Sequence, residues 1–230
     1  SFWTGCPNVR GRCMSPAEGR FTLGLLAMDG AMPSSYTGAM DLLKVAQKLA
    51  QLRDPATPLR LQTVMVGARG QASFSDSGGL ALGPVQSPDH ALDVLVVPGY
   101  MHSSAQDAVE RLGQYGPEIE LLRALSLRGV PLAGNCCGSL LLAEAGLLDG
   151  HEATTSWWLD GAFRSHYPRV RLDVQRMVVE DGNIATTGAS TAVMGYLLQV
   201  LARVADPALA QNTARMMLLD PDRTSQAPYI

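Results

Sequence analysis

Gly134-Asn135-Cys136-Cys137-Gly138 is the stretch on which the fold turns. An apolar run, Gly129-Val130-Pro131-Leu132-Ala133, leads into it, and a helical pattern from Ser139 to Ala145 leaves it. A strand that breaks into a helix at small-x-Cys-x-small predicts a nucleophile elbow, whose glycines permit the tight, strained turn that presents the central side chain. Such a turn puts Cys136 at the carboxyl end of a parallel strand, where open α/β sheets keep their ligand crevices. The next helix would favour a thiolate through its N-terminal partial positive charge and free first-turn amides. The same letters also fit a buried cysteine in an ordinary strand-to-helix loop, so context decides.

Outward from the elbow, strand and helix patterns alternate. Phe21 to Ala27 is an apolar run of strand length, as in a parallel strand buried on both faces. Tyr36 to Leu52 reads as a helix with Met40, Leu43 and Ala50 on one face, and Ser34 or Ser35 is its expected N-cap. Leu59 to Val66 is a second strand, and Gly67 to Leu82, broken by Ser77-Gly78-Gly79, a small hairpin excursion. Ala91 to Val97 is a buried strand with Pro98-Gly99-Tyr100-Met101-His102 as its exit loop. Ala105 to Leu127 is helical with a break near Gly116-Pro117. Past the elbow come a short strand from Glu152 to Thr155, a helix starting near Trp157, and a hairpin turned at Asp181-Gly182. Thr191 to Ala202 and Pro207 to Met217 are closing helices. The alternation predicts one doubly wound α/β domain, a flavodoxin-like, mainly parallel sheet with helices on both faces, over residues 21–230. Residues 1–20 show no periodicity and read as an arm, with Met14 a candidate natural start.

Composition narrows the function classes. With 230 residues, 47% of them hydrophobic and 17% charged, the chain can bury a large core. Its 18 basic and 21 acidic side chains leave a net charge of −3, and no basic stripe offers itself to nucleic acid. No apolar run reaches the ~20 residues of a membrane span. The four cysteines make no disulfide framework, and Cys6 and Cys13 lack metal-site spacing. A cytoplasmic protein without cofactor or metal is expected.

At this point the residues carry a resemblance. "PLAGNCCGSLLLAEAGLLDGHEATTSWW", with "LDVLVVPGY" upstream and "VVEDGNIATTGAS" downstream, resembles the ThiJ/PfpI superfamily, which has the fold of class I glutamine amidotransferases. "LLAMDGAMPSSYTGAMDLLKVA" and "ARMMLLDPDRTSQAPYI" are similar to sensor domains of AraC-type transcription regulators of the GlxA-like kind. In such regulators the segment matching Arg223-Thr224-Ser225-Gln226-Ala227-Pro228 leads towards a C-terminal helix-turn-helix domain. The resemblance thus implies a sensor domain separated from its DNA-binding half, a small-molecule effector, and a homodimer matched to paired half-sites.

The resemblance also implies roles for particular residues. Cys136 holds the nucleophile position, and the backbone N–H groups of Cys137 and of Gly99 or Tyr100 would face an oxyanion. The accessory groups differ from the superfamily's enzymes. Ser156 stands in Thr154-Thr155-Ser156-Trp157 where many relatives carry histidine, and Ser34 or Ser35 stands where an acidic residue often lies. Losing a positioned base costs ~10²–10⁴ in rate. No catalytic residue is therefore expected, with Cys136 the nucleophile if the chain is an enzyme. His102 is a candidate substitute base or a plain loop histidine; His90, His151 and His166 are expected at the surface.

What remains is a pocket near the carboxyl ends of the strands. Asp29, Ser34, Ser35, Gly99, Tyr100, His102, Cys136, Cys137, Ser156 and Trp157 are expected among its walls. One carboxylate, Asp29, beside the rings of Tyr100, Trp157 and Trp158 suits an amine-bearing metabolite through cation–π contacts. At least one of the two tryptophans is expected to pack in the core. Two other readings stay open: a cysteine-dependent hydrolase or hydratase, and a redox sensor using Cys136 with Cys137.

Overall fold

The computed structural model describes residues 19–56 and 59–230; most of the expected N-terminal arm lies outside them. In chain order the elements are β1 (Arg20–Ala27), α1 (Ser34–Arg53), β2 (Arg60–Gly67), β3 (Phe74–Ser75), β4 (Ala81–Leu82), β5 (Val85–Gln86) and β6 (Val94–Val97). Then follow α2 (Ala105–Glu110), a 3-10 turn (Arg111–Gln114), α3 (Gly116–Leu127), β7 (Leu132–Asn135) and α4 (Gly138–Glu144). β8 (Glu152–Ala153), a 3-10 turn (Trp157–Leu159), α5 (Asp160–His166), β9 (Arg171–Leu172), β10 (Val178–Asp181) and β11 (Ile184–Thr187) come next. The closing elements are α6 (Ala192–Val204), α7 (Pro207–Met216) and a 3-10 turn (Ala227–Tyr229).

The main sheet has seven strands in the order β10-β11-β7-β6-β1-β2-β5. Every pairing in it is parallel except that of β10 with β11, which is the hairpin turned at Asp181-Gly182. From β1 the chain moves one way to β2, but from β6 it moves the other way to β7. Right-handed crossovers therefore put α1 on one face and α3 on the other. Packing agrees: α1 contacts α6 and α7, and α3 contacts α4. The strand order reverses beside β1 and β6, and crevices open at such a switch point. β1 is buried from Phe21 to Ala27, as its unbroken apolar run requires.

The expected hairpin excursion exists as β3 paired antiparallel with β4. Two local expectations are corrected. Helix α1 takes Pro33 as its N-cap with no side-chain cap, because Ser34 is already helical and Ser35 turns inward. The break within residues 105–127 falls at the 3-10 turn 111–114, and Gly116-Pro117 instead opens α3, where proline's missing N–H costs nothing. Among the described residues, no helix is long and apolar enough to cross a membrane.

Candidate functional site

The elbow forms where expected, between β7 and α4, and Cys136 adopts a left-handed φ of 55°. That conformation is costly for a side chain with a Cβ and persists only where the surroundings hold it. Gly138 makes the turn possible: a Cβ there would lie 2.5 Å from the Val97 carbonyl oxygen, so α4 can start hard against the end of β6. The Cys136 N–H donates to the Thr187 carbonyl at 3.1 Å. Its own carbonyl accepts from the Ser139 hydroxyl at 2.8 Å and the Thr155 hydroxyl at 3.1 Å. Every backbone group of the strained residue is thus tied down, which offsets the strain.

Cys136 is 3% exposed, and the Ser156 hydroxyl donates to its sulfur at 2.8 Å. The neighbouring Cys137 thiol, the Ser156 hydroxyl and the Cys137 N–H lower the Cys136 pKa, in that order of strength with burial opposing them second. The Cys137 thiol moves the other way, well up, because it is buried and lies against Cys136. No carboxylate or imidazole hydrogen-bonds the Cys136 sulfur among the described residues. Both cysteines are free thiols.

The oxyanion expectation needs correcting at Tyr100. Its N–H donates to the Cys137 sulfur at 3.1 Å, and the Cys137 thiol faces the Tyr100 carbonyl at 3.2 Å. That amide is spoken for by a side chain. Gly99 does lie against the elbow, since a Cβ there would come 3.1 Å from Cys136 Cβ.

Other expected wall residues fall into two groups. Ser35 is buried and accepts from the Asn135 amide at 3.2 Å; Asn135 also accepts from Thr187 and donates to the Ser190 carbonyl. Ser34 is exposed and shares a 3.1 Å hydrogen bond with Ser190. These contacts join β1's exit, β7 and β11 across the switch point. Asp29 is exposed, and its carboxylate accepts the Ser75 N–H of β3 at 2.9 Å and makes no hydrogen bond to Cys136. Tyr100 offers no ring face either, being 1% exposed with its hydroxyl donating to the Ala108 carbonyl. Apolar burial of the whole ring outweighs its use at a mouth.

His102 is half-buried, its Nδ1 lacks a hydrogen-bond partner among the described residues, and burial pushes its pKa down. It shares no hydrogen bond with Cys136. His90 and His166 are exposed, and His151 pairs with Asp181 at 3.2 Å. The tryptophans depart from expectation most. Trp157 and Trp158 are 38% and 41% exposed, stacked edge to face at 5.6 Å, and neither packs in the core. With three residues per turn, one side chain of a single 3-10 turn faces the core, and Leu159 takes that position. No group of three or more metal-ligating side chains exists among the described residues.

Sequence reasoning passed over Thr155, Ser139, Asn135 and Ser190. A hydroxyl two or three residues from an elbow leaves no pattern in the chain, although Thr154-Thr155-Ser156 as an unbroken hydroxyl run was a signal.

A parallel sheet with its cysteine elbow beside the switch point has counterparts among known proteins. The profile of the DJ-1/PfpI family matches residues 40–203. The chain belongs to the DJ-1/PfpI family. This DJ-1/PfpI chain is 28% identical over 207 residues to the HTH-type transcriptional regulator GbdR of Pseudomonas aeruginosa, covering 89% of this chain and 52% of that protein. It is 29% identical over 158 residues to isonitrile hydratase of Pseudomonas putida, covering 67% and 63% respectively. Among solved structures, an AraC family transcriptional regulator from Pseudomonas putida matches with a TM-score of 0.68 at 20% identity, over 86% of this chain and 99% of that one. That last likeness shows the shared fold. The DJ-1/PfpI chain spans a third to about half the length of the HTH-type regulators it matches.

Proposed function

We propose that this chain is the ligand-sensing and dimerisation domain of an AraC-type transcription regulator, binding a small amine-bearing metabolite at the mouth of the cysteine elbow. The observation that carries binding over turnover is the environment of the sulfur. Its neighbours are the Ser156 hydroxyl and the Cys137 thiol, and the Tyr100 amide that would face an oxyanion is held by Cys137. A hydroxyl stabilises a thiolate but does not take up and hold its proton as a general base at neutral pH. The similarity to GbdR supports the regulator half of the reading, with DNA contacts made by a separate domain. The exposed Trp157–Trp158 pair, one residue beyond Ser156, supports the amine: ring faces at a mouth recognise cations, each contact adding ~0.5–2 kcal/mol.

A thermal-shift screen of quaternary amines, primary amines and amino acids tests it. At ~100 Kd a ligand adds ~2.7 kcal/mol of stability, so a binder should raise the melting temperature of the wild-type chain and do so less in Trp157→Ala. A flat screen contradicts the ligand class.

A cysteine-dependent hydratase is the second reading, favoured by the lowered Cys136 pKa and the similarity to isonitrile hydratase. Cys136-dependent conversion of an isonitrile to its formamide would establish it.

A further inference from the structure

Gln226 sits where the last segment of the chain meets the back of the elbow. It is 2% exposed, while residues 227–230 that follow it are exposed. Its side-chain nitrogen lies 2.9 Å from the Thr155 carbonyl, 3.1 Å from that of Val174 and 3.0 Å from that of Arg176. It also lies 3.4 Å from the Thr154 hydroxyl, so two amide hydrogens serve several fixed acceptors. The side-chain oxygen accepts the Ala189 N–H at 3.3 Å, and the backbone N–H donates to the Gln175 carbonyl. Gly188 makes the room: a Cβ there would stand 2.4 Å from the Gln226 amide carbon.

The Thr155 carbonyl and the Ser156 N–H belong to one rigid peptide plane. Holding that carbonyl sets the position of the Ser156 Cα, and so the aim of the hydroxyl that meets Cys136 Sγ at 2.8 Å. The Thr155 side chain is fixed independently by the Cys136 carbonyl and Ser139. The Thr155 carbonyl also accepts from the Thr154 hydroxyl at 3.4 Å, and the Ser156 carbonyl from the Leu159 N–H at 2.9 Å. The Gln226 amide makes the shorter bond to the Thr155 carbonyl, and the one that comes from a distant part of the chain.

We propose that Gln226 is a positioning residue for the cysteine site: it holds the 155–156 peptide so that the Ser156 hydroxyl meets the Cys136 sulfur, and thereby couples the state of that sulfur to the order of residues 224–230. Coupling is reciprocal. Whatever displaces Ser156 from Cys136 weakens the grip of Gln226, and release of Gln226 disturbs the thiol. This rests on the chain's own geometry and is independent of the effector proposed above.

The test is the pH dependence of Cys136 alkylation by iodoacetamide, followed by peptide-resolved mass spectrometry on the whole chain. Gln226→Leu should raise the midpoint by about one pH unit, the scale of one lost hydrogen bond to a thiolate. Added to Ser156→Ala it should raise it no further, because both act through the same hydroxyl. Leu209→Ala, in α7, is the control for lost stability and should leave the midpoint unchanged. An unchanged midpoint in folded Gln226→Leu, a fully additive shift in the double variant, or an equal shift in Leu209→Ala overturns the proposal.

A wild-type measurement covers the case in which Gln226→Leu does not fold. After alkylation of Cys136, the Gln226 amide should exchange its hydrogen roughly tenfold faster while the α7 amides do not change. Exchange at Gln226 that stays the same overturns the coupling.

Discussion

Cys136 carries a left-handed backbone, held by Thr187, Ser139 and Thr155, and a lowered pKa set by Cys137 and Ser156. The donors that lower the pKa, Cys137 first, then Ser156 and the Cys137 N–H, must outweigh burial, which is the second-largest influence. The sign follows directly. A thiol whose pKa is depressed by donors is ionised at lower pH than an ordinary one, and removing a donor returns it upwards. Ser156→Ala should therefore shift the alkylation midpoint of Cys136 up by about one pH unit. Cys137→Ala should shift it in the same direction. An alkylation profile indifferent to both would show that the sulfur is governed by something else. Little of this was legible beforehand. That Ser156 replaces a histidine could be read from Thr154-Thr155-Ser156-Trp157, but whether its hydroxyl reaches the sulfur depends on a backbone plane set from Gln226, seventy residues away. Asp29 and Tyr100 were misjudged for a related reason: a loop position at a strand's end says where a residue is, not which way its side chain turns.

The elements that frame the elbow depend on a few close approaches. A methyl group at residue 138 would meet the Val97 and Pro98 carbonyl oxygens at 2.5 and 2.6 Å, both of them backbone and unable to yield cheaply. Gly138→Ala should cost about 2–3 kcal/mol in urea denaturation, the range of overpacked core sites; an unchanged midpoint would mean the turn is looser than described. The loop after β2 is tied to α3 by a different device. Arg69 reaches the Glu118 carboxylate with Nε and Nη2 at 2.7 and 2.8 Å, and Glu118 is 1% exposed. Arg69 itself is 41% exposed, so water screens the pair. Arg69→Ala should cost less than the ~3–5 kcal/mol of a fully buried pair, yet more than Arg53→Ala, whose partner Asp206 is 36% exposed where Glu118 is 1% exposed. Denaturation of the two variants side by side checks the order. Long elements were readable within one or two residues because an eight-residue strand buried along its length, like β1, must be apolar throughout. The two-residue strand β5 was not, since it is a stretch of loop that happens to align with the end of β2.

For the whole molecule, a single alternation of strand and helix with one reversal of strand order brings the ends of β1, β6 and β7 and the loop before α5 to one edge. Alternation was visible in the sequence, and with it a doubly wound fold and its reversal; the place of the reversal, beside β1 and β6, was not, because strand order is decided by which faces remain apolar after each crossover. A regulator reading paired half-sites is expected to be two-fold symmetric, so sedimentation of the chain at micromolar concentration should give a dimer, and a monomer at all concentrations would remove dimerisation from its role. The central claim is that the elbow recognises a metabolite without transforming it. The most direct measurement is calorimetric titration of the most stabilising amine into the chain before and after carboxamidomethylation of Cys136, with the amine recovered and analysed afterwards. Binding that is lost on modification, with the amine recovered intact, is the expected result. Equal binding by the modified chain, or Cys136-dependent consumption of the amine, would contradict it.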